Sequence, residues 1–211
     1  MKPDHSYFTR LGHWLAAIAI PILGLSGLEI LRAFPSLGEK LPHALMLPVP
    51  DGPGLGGWLG GALSWHVTFA WFFGAAVALQ LFDLARGGWR RVWLSAAEWR
   101  GIWPVARYYF LRGSKPEQRK LYNPLQKATY LLILSLELVS ILTGWALLQP
   151  ARFWLRPVWA WQAVRALHLL SMLGFLGFLP GHLVMVVLAG RRPFLSMVSG
   201  EHGAAVAEGQ V

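Results

Sequence analysis

Four stretches of this chain are so long and so apolar that water is the wrong solvent for them. They cover about residues 11–31, 61–84, 125–148 and 164–189. Each meets the roughly 20 residues a helix needs to cross a hydrocarbon core. In lipid a lone segment satisfies its backbone only as a helix. The expected fold is therefore all-α: an integral membrane four-helix bundle, a single domain over residues 1–211. Hydrophobic residues make up 55% of the chain and charged residues 14%, against about 25% charged in a soluble domain. That composition excludes disorder and argues against a soluble enzyme. Cysteine is absent, which rules out disulfides, iron–sulfur clusters and thiolate zinc sites. The first stretch is longer than a signal-peptide core and lacks a small-residue cleavage site after it, so it reads as a retained span.

Charge sets the expected orientation. Fourteen of the nineteen Lys and Arg lie before the first span, between the second and third (counting Lys127 at the start of the third), or after the fourth. The positive-inside bias puts both termini in the cytoplasm. The net charge of +9 is then explained by membrane topology, with no nucleic acid required. The long basic loop is broken by Trp89, Trp93, Trp99 and Trp103, a mixture that suits a helix lying among lipid headgroups.

There are seven histidines. His5 and His202 lie in the end segments and His43 in the loop after the first span, where solvated side chains are ordinary. His13, His66, His168 and His182 lie inside apolar spans, where ionisable groups are rare and usually functional. Successive spans run in opposite directions. His13 and His182 therefore fall near the cytoplasmic face, and His66 and His168 near the outer one. His168 and His182 are 14 residues apart, about 21 Å along a helix. That is two heptads, so both rings stay near one helix face. Neutral imidazoles on facing helices can hold one planar metal macrocycle in each layer. Two isolated pairs are too few ligands for zinc. A haem-free ion or proton transporter and purely structural hydrogen bonding are the rival readings. A proton relay has no need of pairs matched in depth on different helices.

Other residues fit around these. Arg10 and Arg165 each stand three residues before a candidate ligand. Either suits a haem propionate, since Arg–carboxylate pairs are strong and bidentate; the plainer role is interfacial anchoring. Glu29 is placed at the outer interface and Glu137 near the membrane centre, where a charge is expensive. Glu137 is expected to be protonated or hydrogen-bonded between helices, with a proton path as the sharper alternative. Gly24, Gly27, Gly144, Gly174 and Gly177 make room either for a macrocycle or for close helix packing. Asn123 precedes Pro124, the pattern of a helix N-cap.

Taken together, these elements resemble the bacterial four-helix, di-haem b-type cytochrome subunits. That family includes the gamma subunit of formate dehydrogenase and the cytochrome b subunits of NiFe-hydrogenases and thiosulfate reductases. The resemblance is carried by Arg10-Leu-Gly-His13-Trp14, the lone His66, Tyr122-Asn-Pro-Leu-Gln-Lys127, Thr143-Gly144, the His168–His182 spacing and Ser196-Met-Val-Ser-Gly200. It implies two haem b groups, the outer one on His66 and His168 and the inner one on His13 and His182. It implies a menaquinone or ubiquinone site beside the inner haem, with Asn123 in contact and Gln126 and His182 nearby. It implies no catalytic residue in this chain. The catalytic and iron–sulfur subunits of a molybdopterin oxidoreductase or a NiFe-hydrogenase would be its partners, at the outer face of the bacterial inner (cytoplasmic) membrane. The alternative is a stand-alone di-haem cytochrome that oxidises superoxide and reduces quinone, with Arg152, Arg156 and Arg165 forming a basic entrance.

Overall fold

The computed structural model describes residues 5–35, 52–111, 113, 122–150 and 157–200. His43, Arg152, Arg156 and His202 lie outside them. Every regular element among the described residues is helical. Four helices are long and apolar enough to cross a membrane: α1 (Tyr7–Ala33), α2 (Leu59–Asp83), α5 (Pro124–Leu148) and α6 (Val158–Ala189).

Two of these begin earlier than hydropathy suggests, each for a local reason. α1 starts at Tyr7 because the Ser6 hydroxyl accepts from the Thr9 amide at 3.1 Å. That cap satisfies a donor which a helix start otherwise leaves unpaired. α6 starts at Val158, straight after Pro157. Its first turn carries Trp159, which is exposed. Such aromatic turns are at home in the headgroup layer but dilute an apolar average.

Most of the described chain between α2 and α5 is helical. A π-helical turn (Leu84–Gly88) leads into α3 (Trp89–Val92). The break in direction falls at Gly87, with φ 107°, a conformation costly for any residue with a Cβ. α4 (Ala96–Leu111) follows, and α7 (Arg191–Val198) closes the described chain.

α1 packs along α2, α5 packs along α6, and α2 meets α5. Small residues allow the close approach: Ala16 and Ala19 on α1 and Ala76 on α2 are buried with Phe73, Val77 and Phe175. The periphery is the reverse of a soluble protein. Leu142, Leu170, Val187 and Leu188 are all more than half exposed. An apolar coat of this extent belongs against hydrocarbon.

Candidate functional site

The four span histidines meet in two pairs. The rings of His66 (α2) and His168 (α6) have their centres 6.0 Å apart, with their planes inclined at 67°. The rings of His13 (α1) and His182 (α6) are 6.1 Å apart at 61°. All four side chains are half-buried. α6 contributes a member to each pair, and the 14 residues between them span about 21 Å of helix.

In the His66–His168 pair the hydroxyl partners indicate which nitrogen is free to coordinate. Ser26 Oγ has one proton and donates it to the Ile22 carbonyl at 2.7 Å. Towards His66 Nδ1, at 3.1 Å, it is therefore an acceptor. Thr143 Oγ1 is in the same position: it donates to the Val139 carbonyl and stands 2.9 Å from His168 Nδ1. Both imidazoles thus carry their proton on Nδ1 and keep the Nε2 lone pair for a metal. This is the usual way a partner in the outer shell fixes a ligating histidine. Each hydroxyl is followed by a glycine on which the ring rests. A Cβ at Gly27 would lie 3.3 Å from His66 Cε1, and one at Gly144 would lie 3.2 Å from His168 Cε1. Ser26-Gly27 and Thr143-Gly144 are therefore two copies of one device on different helices. Sequence reasoning singled out Thr143 but missed Ser26, and the repeated hydroxyl–glycine dipeptide was the available clue.

The His13–His182 pair is framed by aromatics. Phe178 stacks on His182 at 5.1 Å, and Trp14 meets His13 edge-on at 5.4 Å. Trp14 Nε1 donates to the Met197 carbonyl at 3.1 Å and its ring meets Phe194, so α7 is fastened beside this pair.

Both pairs suit one iron between two imidazoles. Metal–imidazole bonds of about 2 Å set two opposed ring centres roughly 6 Å apart. Zinc is served less well. Among the described residues no group of three or more His, Asp or Glu is gathered to hold an ion.

Arg10 reaches the Val198 carbonyl with Nη1 at 3.4 Å. Its buried Nε has no hydrogen-bond partner among the described residues, so a donor beside His13 remains for an acidic group. Arg165 donates through Nη2 to the Phe34 carbonyl at 2.7 Å and through Nη1 to Gln162 at 3.3 Å. It joins α6 to the end of α1. Glu29 pairs with Arg32 at 2.7 Å.

Asn123 and Gln126 come together in a capping box. Asn123 Oδ1 accepts from the Gln126 amide at 2.8 Å, and Gln126 Oε1 accepts from the Asn123 amide at 2.9 Å. Both carbonyl arms are used in this way, while each carboxamide still has an NH2 to offer. Tyr122, just before the cap, lies 3.5 Å from His5 Nδ1, which brings the start of α5 to the α1 end that carries His13. One turn further on, Lys127 Nζ contacts Glu98 Oε1 at 2.8 Å and the Trp93 carbonyl at 3.1 Å.

Replacing Thr143 with Val should loosen the orientation of His168 without touching the His13–His182 pair. Loss of such an outer-shell partner weakens metal retention by about 10–100-fold. Transfer of haem to an apo-globin acceptor would measure it, and an unchanged transfer rate would deny Thr143 that role.

Two comparisons bear on this geometry. The family model for prokaryotic cytochrome b561 matches residues 4–200. A putative protein-methionine-sulfoxide reductase subunit, YedZ1 of Azospira oryzae, is 30% identical over 202 residues, covering 93% of this chain and 96% of the relative. No solved structure gives a significant match.

Proposed function

Because the chain belongs to the prokaryotic cytochrome b561 family, we propose that it is the di-haem, quinone-linked electron conduit of an oxidoreductase complex. It is a multi-pass haem b protein of the bacterial cytoplasmic membrane and takes part in electron transport. In our reading, His66 and His168 ligate an outer haem, and His13 and His182 an inner one. What supports this is the facing of two histidine pairs at centre distances of 6.0 and 6.1 Å. When bound, haem b supplies reversible one-electron carriage.

The chain's own residues set the conditions. Ser26 and Thr143 hold the outer imidazoles with Nε2 free to coordinate. Arg10 and Arg165 neutralise propionates, each within a turn of a ligand. Asn123 offers its NH2 to a quinone carbonyl at the inner end, with Gln126 and His182 beside it. Both termini face the cytoplasm, by the distribution of basic residues. The outer end then meets a catalytic subunit in the periplasm. YedZ1 is named as a subunit of a methionine-sulfoxide reductase. That favours a reductase over a hydrogenase as the partner, with electrons passing outward from quinol.

The direct test is a reduced-minus-oxidised spectrum of the purified protein, with haem counted as pyridine haemochromogen. Two b haems per chain are expected, and colourless protein from a haem-competent host would overturn the reading. For the quinone site, Asn123→Asp keeps a good cap acceptor but removes the NH2 donor. Quinol oxidation should slow by about tenfold or more, the worth of a hydrogen bond of roughly 1.5 kcal/mol, while haem content and stability hold. Unchanged quinol kinetics would remove Asn123 from the site.

A further inference from the structure

Glu137 is a buried acid that the proposed function leaves unused. It lies within α5 and is 2% exposed. Its Oε1 accepts from Gln80 Nε2 on α2 at 3.1 Å. Its buried Oε2 has no protein hydrogen-bond partner among the described residues. The described core of this region is uncharged, including Ala16 on α1, Phe73 and Val77 on α2, and Phe175 on α6. An ionised carboxylate without a partner is expensive in such a place.

Polar groups lead away from Glu137 in both directions. One turn on along α5, Ser140 donates to Ser171 of α6 at 2.7 Å, and Ser171 donates to the His168 carbonyl at 2.7 Å. A further turn on is Thr143, which bonds the His168 ring. In the other direction, Gln80 stands one turn before Asp83, which accepts from Thr9 at 3.1 Å at the α1 start. The titratable groups met along these described contacts are Asp83, His168 by way of Thr143, and His13, whose neighbour Gly12 abuts Gln80.

We propose that Glu137 is a proton-loading site, gaining one proton when the protein is reduced and losing it on oxidation. The proposal rests on the haem reading above. An electron brought into a low-dielectric interior is stabilised by a compensating positive charge. On reduction by quinol, an O–H bond forms at Oε2 with a proton drawn from water at the Asp83 end, past Gln80. On oxidation that bond breaks and the proton returns the same way.

The test is redox-induced infrared difference spectroscopy on the haem-loaded protein. The reduced-minus-oxidised spectrum should contain a protonated-carboxyl C=O band that shifts in D2O. Glu137→Gln should abolish it with haem content unchanged. Glu29→Gln, at the Arg32 pair, should leave it intact. If Glu137→Gln does not fold, Glu137→Asp should displace the band. Two bound haems without such a band in the wild type, or a band unmoved in the Glu137 variants, would overturn the proposal alone. A colourless wild type would overturn the haem reading and this one with it.

Discussion

His182→Ala is expected to leave one haem per chain where the wild type holds two. His182 faces His13 across 6.1 Å, and in the proposed arrangement these two residues would hold the inner haem. Without one of them, a b haem has a single protein bond and washes out. The outer pair should survive. His66 and His168 are held by Ser26 and Thr143, neither of which belongs to the inner layer. Alanine is the best helix former, so α6 keeps His168 in place despite the change one layer away. His13→Ala should give the same haem count. The double variant should be no worse than either single one, because both remove one shared unit. His66→Ala and His168→Ala should give the mirror result. Pyridine haemochromogen counts beside a circular dichroism spectrum decide the matter. Loss of both haems in a folded His182→Ala protein, or of neither, would break the pairing by layers.

The bundle and the histidine pairs were legible in the sequence because both rest on arithmetic that lipid enforces. Span length fixes the helices, and alternating direction fixes the depth of each ring. His13 with His182 and His66 with His168 followed from that arithmetic alone. The supports of those rings were not legible. Ser26 serves His66 from 40 residues away, and no periodicity links positions on two different helices. Helix starts were blurred where one hydrogen bond or an aromatic turn outweighs hydropathy, as at Ser6 and Trp159. The segment between α2 and α5 was expected to hold a helix among headgroups, and α4 is helical. The π turn before it, with its kink at Gly87, has no pattern in composition. Asn123 carried two readings, a cap and a quinone contact. The capping box is present and uses only the carbonyl arm of the amide, which leaves the second reading its donor.

Glu98→Ala should be among the most destabilising substitutions away from the histidines. Two roles of its carboxylate are seen among the described residues. Oε2 accepts from the Ser95 amide at 2.9 Å, in a reciprocal cap at the start of α4. Oε1 holds Lys127 Nζ at 2.8 Å, and the side chains of this pair are only 6% and 13% exposed for Lys127 and Glu98 respectively. Alanine therefore removes a cap and leaves a buried ammonium with the Trp93 carbonyl. Breaking a buried pair from one side costs about 3–5 kcal/mol, which is roughly 10 °C in Tm for a chain of this size. The cause is the stranded charge more than the lost attraction. It follows that Lys127→Met, added to Glu98→Ala, should restore most of the stability. The deficit left over should be about the 1 kcal/mol of a lost cap. Thermal unfolding of the four proteins in one detergent gives this double-mutant cycle. If the double variant is as unstable as Glu98→Ala alone, the stranded-charge account fails. The outcome also bears on the proposed quinone site, because Lys127 stands one turn from Asn123 and ties α4 across the start of α5. A Glu98→Ala protein that keeps its haems should therefore show impaired quinol kinetics, and adding Lys127→Met should restore them.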